Sequence, residues 1–426
     1  MKILVTGSGG REHALAWRLA QSPLVTEVFV APGNAGTALE ENLSNVDIDV
    51  MDFKAQISFV KEVGIELTLI GPEAPLVAGV VDLFREAGLK CFGPDALGAQ
   101  LEGSKTFTKN FLARHEIPTA AYASFNDATK AIEYAAGMDL PIVIKADGLA
   151  AGKGVVIAQS QDEAINTIKD MMQGNAFGEA GSIVVIEEFL AGEEASFIVM
   201  VDGKNAIPFA SSQDHKAAYD GDMGPNTGGM GAYSPAPVVT PKVFEEIMSK
   251  VIRPTMQGLN DDGIFYVGFL YAGLMIDADG NPKVIEFNCR FGDPETQPIM
   301  MRMKSDLVQL CLDAIDGSLA NQEIEFDERV ALTVVMAAKG YPGSYAKGQK
   351  ILTIPEENDY SKTFHAGTTL SAGKVFTNGG RVLGVTALGK NVGEAQSRVY
   401  RILKEIEFKD ALYRSDIGYR AIERES

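Results

Sequence analysis

Cysteine is scarce in this chain. The three residues, Cys91, Cys289 and Cys311, lie far apart and form no Cys-x-x-Cys pair. That spacing excludes a disulfide scaffold and a cysteine zinc site, and it fits a reducing compartment. Long apolar runs are missing too: none approaches the roughly 20 residues that span a bilayer. The first residues, Met1-Lys-Ile-Leu-Val-Thr-Gly7, enter a strand pattern directly, without the apolar stretch and cleavage site of a secretory leader. A cytoplasmic protein with no membrane partner is expected. Positive charge is in deficit, with 38 Lys and Arg against 57 Asp and Glu and a formal net charge of −19. Nucleic acid demands a basic face, so that class of partner is set aside. If the substrates carry phosphate, the site must gather Lys, Arg and metal locally against an acidic background.

What is present suits a soluble globular enzyme: 426 residues, 46% hydrophobic, with 44 Gly and 18 Pro. The length suggests two to four domains. Residues 1–103 alternate strand and helix patterns. Lys2-Ile-Leu-Val-Thr6, Val28-Phe-Val30, Leu67-Thr-Leu-Ile70 and Cys91-Phe92 each end at Gly or Pro, as in a doubly wound parallel sheet. A second unit covers 104–326. Ser104 is placed to cap its first helix, whose Phe107, Phe111 and Leu112 share one face. Inside it, residues 122–191 read as a small strand-rich lobe, with Ile142–Lys145 and Val155–Ala158 joined by a glycine loop. Residues 327–426, with Val330–Met336, glycine turns and Val382–Thr386, read as a small α+β domain. The class is α/β and α+β, multidomain.

Five strings carry chemistry. Gly7-Ser-Gly-Gly-Arg-Glu12 follows the first strand, where glycines let backbone N–H groups and a helix N-terminus meet an anion. The dinucleotide fingerprint fails at its last position, which is Glu12, and Ala-Pro-Gly follows the second strand in place of a ribose-binding acid. A phosphate helped by Arg11 is the better reading, and a purely structural turn the bland one. Lys145-Ala-Asp-Gly-Leu-Ala-Ala-Gly-Lys-Gly-Val155 is only superficially a P-loop. Three residues, not four, separate Gly148 from Gly152, and the loop joins two strands. Such a hairpin can fold over phosphates with its N–H groups as donors and Lys145 as a point charge. The bland alternative is a flexible hairpin with a surface lysine.

Ile186-Glu-Glu-Phe-Leu-Ala-Gly-Glu-Glu194 alone would pass for a solvated strand end; its place after the glycine hairpin raises its interest. In Lys283-Val-Ile-Glu-Phe-Asn-Cys-Arg290, alternation puts Glu286 and Asn288 on one strand face. These oxygens suit Mg²⁺ held jointly with phosphates. Arg290 continues that face, while Cys289 points the other way and reads as core. Ser212-Gln-Asp-His-Lys216 and Gly224-Pro-Asn-Thr-Gly-Gly-Met-Gly231 form a long polar loop of the kind that often carries function. His215 has no second His or Cys at ligand spacing.

Together these strings resemble the ATP-grasp superfamily and, from end to end, its phosphoribosylamine–glycine ligase family. The further strings that carry the likeness are Ala31-Pro-Gly-Asn-Ala-Gly36, Gly71-Pro-Glu-Ala-Pro-Leu76 and Arg290-Phe-Gly-Asp-Pro-Glu-Thr-Gln297. The resemblance implies an N-terminal preATP-grasp domain, an ATP-grasp core with a lid lobe, and a C-terminal domain. It implies that ATP, glycine and 5-phosphoribosylamine give glycinamide ribonucleotide through a glycyl phosphate, in a monomer or weak dimer. By resemblance, Lys105, Lys145, Gly152, Lys153 and Gly154 hold phosphates. Glu187, Glu188, Phe189 and Leu190 hold adenine, chiefly through the backbone, and Glu194 holds ribose. Glu286 and Asn288 bind Mg²⁺ or Mn²⁺. Arg290, Gly292, Asp293, Asp214, His215 and Lys216 serve glycine and the acyl phosphate, with Arg290, Lys145 and Asp293 catalytic. Gly9, Gly10, Arg11, Gly33 and Asn34 face the sugar phosphate.

Two departures stand out. The family usually has Arg where this chain has Ala217, and no second acidic metal ligand is evident in Ala272-Gly-Leu-Met275. Rival readings are a different ATP-grasp ligase, which the 290–297 string opposes, a nicotinamide oxidoreductase, which Glu12 opposes, and an inactive nucleotide binder. The last is opposed by the presence of Lys145, Glu286 and Arg290 together.

Overall fold

The first strand, β1 (Lys2–Gly7), sends Ile3 and Val5 to one hydrophobic core and Leu4 to another, as period-two geometry requires of a strand covered on both faces. The computed structural model describes residues 1–149, 154–173 and 181–425. Around β1 the strands β2 (Glu27–Pro32), β3 (Leu43–Asn45), β4 (Leu67–Ile70) and β5 (Cys91–Phe92) form a parallel sheet in the order β3-β2-β1-β4-β5. Leu15 and Leu19 of the helix Gly10–Leu19 cover one face, and Val80, Val81 and Phe84 the other. The doubly wound parallel sheet is present as expected; β3, short and carrying polar residues, gave no strand signal.

The lid lobe is a four-stranded antiparallel sheet of β6 (Tyr122–Phe125), β7 (Ile142–Ala146), β8 (Val155–Ala158) and β9 (Val184–Glu188), ordered β6-β9-β7-β8. It has its own core of Ile142, Ile144, Val184 and Ile186 under Ala131, Ile168 and Met171 of two helices. The helix Lys105–Arg114 leads towards this lobe. Ser104 caps it by accepting the Phe107 N–H at 3.1 Å, and Asp147 beyond β7 accepts the Thr106 N–H at 2.6 Å.

The central sheet, β11-β10-β16-β17, is antiparallel: β10 (Glu193–Asp202), β11 (Ala206–Pro208), β16 (Val267–Ile276) and β17 (Pro282–Asn288). Phe197, Val199 and Val201 of β10 enter the same core as Leu4, while Ile198 and Met200 enter the core of Ile3 and Val5. The N-terminal and central sheets therefore share two continuous cores.

The segment after residue 327 does not build its sheet alone. In β12-β15-β18-β22-β19, the strands β18 (Val330–Ala337), β19 (Ser361–His365) and β22 (Arg381–Gly389) are joined by β12 (Gln213–Asp214) and β15 (Gly231–Ser234) from the long polar loop. Between β12 and β15 lies the hairpin of β13 (Ala217–Tyr219) and β14 (Met223–Asn226), and β20 (Thr368–Ser371) pairs with β21 (Lys374–Thr377). The polar loop is thus pinned to the C-terminal sheet and carried to the mouth of the central one. Among the described residues, no helix is long and apolar enough to cross a membrane.

Candidate active site

A cavity of about 620 Å³ lies between the lid sheet, the central sheet and the N-terminal sheet. Its floor depends on an irregularity in β17. Gly273 of β16 faces Glu286, but Leu274 faces Val284, so Ile285 is an extra residue. The bulge lets Val284 and Phe287 both enter the core, leaving Glu286 and Asn288 on the cavity side. It also frees the Ile285 carbonyl, which accepts the Lys145 ammonium at 3.2 Å. Glu286 and Asn288 share a face, as alternation foretold.

Three lysines gather at the lid side. Lys145 Nζ lies 2.8 Å from Glu187 Oε1, and Lys109 Nζ lies 2.8 Å from Glu187 Oε2. Lys105 Nζ donates to the Gly148 carbonyl at 3.1 Å. Burial, with Lys145 alongside, pulls the Lys109 ammonium down to about 8 against the pull of Glu187. Burial also lowers Lys105. The Glu187 side chain is therefore committed to two cations, and only its backbone is left to meet a base. Glu188, Phe189 and Leu190 line the same wall, with Glu188 paired to Lys283 at 3.2 Å. Gly154 lines the cavity as well; Gly152 and Lys153 lie outside the described residues.

Opposite stands an acidic group around one ammonium. Lys216 Nζ is 3.0 Å from Glu194 Oε2 and 3.7 Å from Glu286 Oε1. Burial pushes the Asp214 carboxyl up to about 8; Lys216 opposes this, and Glu295, Glu194 and Glu286 add to it. Burial raises Glu286 too, but Lys216, Lys145, Lys105 and Arg290 outweigh it and hold that carboxylate below its ordinary range. Ionised Glu286 beside the Asn288 oxygen offers two hard donors. Among the described residues no group of three or more His, Cys, Asp or Glu could hold a metal alone. The donor set fits a cation that completes its shell with phosphate oxygens and water, as Mg²⁺ commonly does.

Arg290 is aimed by two acids that sequence reasoning missed. Its Nη2 lies 2.8 Å from Glu102 Oε1 and donates to Asn288 Oδ1 at 3.2 Å, and its Nε lies 3.4 Å from Glu73. Burial opposes its charge, yet Glu102 and Glu73 raise its pKa above the ordinary value. Cys289 is buried, and its thiol donates to Glu102 Oε2 at 3.1 Å, a packing role as expected.

Three of the expected site residues lie away from where the sequence motifs point. Lys216 and Asp214 line the cavity, but His215 does not. Extended backbone turns alternate side chains to opposite sides. His215 packs between Tyr233 and Tyr419 and accepts the Gly418 N–H at 3.2 Å. Arg11 does not face the sugar-phosphate turn with Gly9. Its side chain enters the 620 Å³ cavity, bonding Glu12 at 2.5 Å and the Phe291 carbonyl at 3.2 Å. Gly10 lines neither cavity itself but lies behind the second: a Cβ there would sit 2.5 Å from Gln297 Nε2, 3.6 Å from Asp293 Oδ1 and 3.7 Å from Ala366 Cβ. Glu12 itself fills the glycine turn. Its carboxylate caps Gly9 N–H at 2.7 Å, and side chains at Gly7 or Gly71 would collide with it. That is the physical reason the dinucleotide fingerprint fails here.

Gly9, Gly33 and Asn34 line a second cavity of about 760 Å³, closed on its far side by Ala366–Leu370, Asn378 and Gly379 of the C-terminal domain. Asn34 Nδ2 donates to the carbonyls of Ser8 and His365, each at 2.9 Å, and so fastens the two domains around it. Asp293 lines both cavities. Gly292 lines the first, and a side chain there would strike Glu295. Ala217 lines neither; its carbonyl accepts from buried Arg414 at 3.2 Å. Sequence reasoning also missed Lys109, one helical turn after Lys105, and that i, i+4 spacing was the signal available.

Known proteins match this arrangement throughout the chain. Models of the phosphoribosylglycinamide synthetase N domain, ATP-grasp (A) domain and C domain match residues 1–102, 103–296 and 331–420. A phosphoribosylamine–glycine ligase of Vibrio parahaemolyticus is 62% identical over 426 residues, covering 100% of this chain and 99% of that protein. One of Escherichia coli K12 is 63% identical over 427 positions and covers 100% of both. The crystal structure of a phosphoribosylamine–glycine ligase from Thermotoga maritima superposes with a TM-score of 0.84 at 36% identity, covering 98% of this chain and 100% of that one. A biotin carboxylase domain of Hydrogenobacter thermophilus shares the fold, with a TM-score of 0.76 at 16% identity over 97% of this chain and 91% of that one.

Proposed function

The chain belongs to the phosphoribosylglycinamide synthetase family, and we propose that its two cavities divide the family's reaction between them. The enzyme is an ATP-dependent ligase of purine synthesis that joins glycine to 5-phosphoribosylamine, giving glycinamide ribonucleotide, ADP and phosphate. A carboxylate is inert to amines at neutral pH, so ATP converts one of its oxygens into a leaving group. Glycine's carboxylate attacks the γ-phosphate in the first cavity, forming glycyl phosphate. The amine then displaces phosphate from it.

The observation that carries this reading is the concentration of cations around Glu286 in a protein of net charge −19: Lys105, Lys145, Lys216 and Arg290 all act on that one carboxylate. Lys105, Lys145 and Gly154, with Gly152 and Lys153, hold the phosphates. The backbone of Glu187–Leu190 holds adenine, and Glu194 the ribose. Glu286 and Asn288 would hold Mg²⁺ or Mn²⁺, which when bound would neutralise charge on the transferring phosphoryl group. Arg290, held by Glu73 and Glu102, offers its planar fork to the acyl phosphate. Gly292, Asp293, Asp214 and Lys216 receive glycine, with Arg290, Lys145 and Asp293 the catalytic set. The amino sugar enters the second cavity at Gly9, Gly33 and Asn34. Glycyl phosphate hydrolyses readily, so water must be excluded while it exists, and the lid sheet over the first cavity suits that need. The reading includes a cytoplasmic monomer or weak dimer that takes small molecules only.

Glycine carrying ¹⁸O in its carboxylate tests the chemistry. One labelled oxygen should appear in the phosphate released with each amide formed. Phosphate free of label would remove the acyl phosphate from the mechanism.

A further inference from the structure

The two cavities adjoin, and the proposed chemistry needs the amine of one to reach the acyl carbon of the other. Among the described residues only two line both: Asp293 and Arg381. They form an ion pair at 3.4 Å. Arg381 opens β22, so the C-terminal domain supplies half of the junction.

Arg381 does more than neutralise a charge. Its Nη1 donates to the Asp293 carbonyl at 2.5 Å, to the Gly228 carbonyl at 2.6 Å and to the Gly229 carbonyl at 3.4 Å. One guanidinium thus ties together the segment after β17, the polar glycine loop and the C-terminal sheet. Gly228 packs directly against this guanidinium: a Cβ there would lie 3.0 Å from the Arg381 Cζ. On its other side Asp293 accepts from Gln297 Nε2 at 2.9 Å. Burial would raise the Asp293 carboxyl, but Arg381 and Arg11 hold it below its ordinary range. It therefore stands ionised at the junction, clamped from two directions.

The geometry points to Arg381 as the positioning residue that couples the two half-reactions, by fixing Asp293 where the amine meets the acyl phosphate. This rests on the reaction proposed above. In the coupled step the amine nitrogen's lone pair forms the C–N bond to the glycyl carbon. The C–O bond to phosphate breaks, phosphate leaves with that electron pair, and the nitrogen's proton passes to the departing phosphate. Asp293, anionic and held by Arg381, accepts a hydrogen bond from the amine and orients it. If Asp293 swings away, Asp214, Lys216 and Arg290 still hold glycine in the first cavity and glycyl phosphate still forms, but water captures it before the amine does.

The test measures amide formed per ADP released in Arg381→Ala and Arg381→Lys, with hydroxylamine trapping of glycyl phosphate in parallel. The ratio does not depend on how much of a variant folds. In Arg381→Ala, glycine-dependent ADP release and glycyl hydroxamate should persist while amide per ADP falls by up to about a hundredfold, the scale of an ångström's misplacement. Arg381→Lys keeps a charge for Asp293 but cannot span three carbonyls, so its ratio should fall between Arg381→Ala and the unaltered enzyme. If amide and ADP fall in equal proportion in both variants, Arg381 does not couple the steps. If the unaltered enzyme makes no amide from phosphoribosylamine, the underlying reaction fails instead, and the proposal with it.

Discussion

Glu187 holds two ammonium groups at once, Lys109 on one carboxylate oxygen and Lys145 on the other, each at 2.8 Å. Lys109 is fixed further by the Thr119 hydroxyl at 2.7 Å, and Lys145 by the carbonyl that the β17 bulge releases. One buried acid thereby sets the position of both lysines at the lid side of the cavity.

Replacing Lys109 with Met leaves Glu187 with Lys145 as its sole counter-ion and draws that ammonium away from the nucleotide. The KM for ATP should rise about ten- to a hundredfold, the scale of one charged hydrogen bond. The KM for glycine should change little. Initial rates at varied ATP and glycine check this, and a rise confined to glycine would contradict it.

Glu286→Gln removes the ionised donor while keeping the shape of β17. Turnover should fall by about a thousandfold, the scale of losing a charge-stabilising group at the reacting phosphate. Circular dichroism should be unchanged. Activity near the unaltered level would remove the metal role from Glu286.

The sequence motif alone assigns Arg11 to the sugar phosphate, and its alanine variant would then mainly raise the KM for phosphoribosylamine. The structure turns its side chain into the first cavity, near Glu73 and the Arg290 fork. Arg11→Ala should therefore lower kcat at saturating substrates, with the KM for phosphoribosylamine near its unaltered value. Steady-state kinetics with the amine varied would tell the two apart.

Glu40 joins the N-terminal and C-terminal domains through His13 Nε2 at 3.1 Å and through Lys362, which also meets Glu357 at 2.5 Å. Burial pushes the Glu40 carboxyl up, but His13 and Lys362 prevail and hold it at about 2. An acid depressed in the folded state stabilises above its unfolded pKa and loses that contribution as pH falls through the folded one. Glu40→Gln should therefore cost about 3 kcal/mol at pH 7, and the difference should shrink between pH 4.5 and 2. Denaturant midpoints across that range measure it; a difference constant with pH would refute the pairing.

Local signals carried much of this. The glycine hairpin between β7 and β8, the shared face of Glu286 and Asn288, and the Ser104 cap all follow from periodicity and turn chemistry within a dozen residues. What escaped was set by distance along the chain. Glu73 and Glu102 reach Arg290 from the other domain, and Arg381 reaches Asp293 across 88 positions. No short-range pattern encodes such pairs. Arg11 and His215 were illegible for another reason: the motif places the backbone, while the direction of each side chain depends on which neighbours fill the space beside it. Glu12 closes the turn, leaving Arg11 the first cavity. Tyr233 and Tyr419 claim His215 for the C-terminal sheet.

ADP release with Mg-ATP, omitting glycine and phosphoribosylamine in turn and generating the unstable amine in situ, tests the central claim most directly. Product formation should require both, with a mass matching glycinamide ribonucleotide. Amide formation driven by a different acid, or ADP release indifferent to glycine, would contradict it.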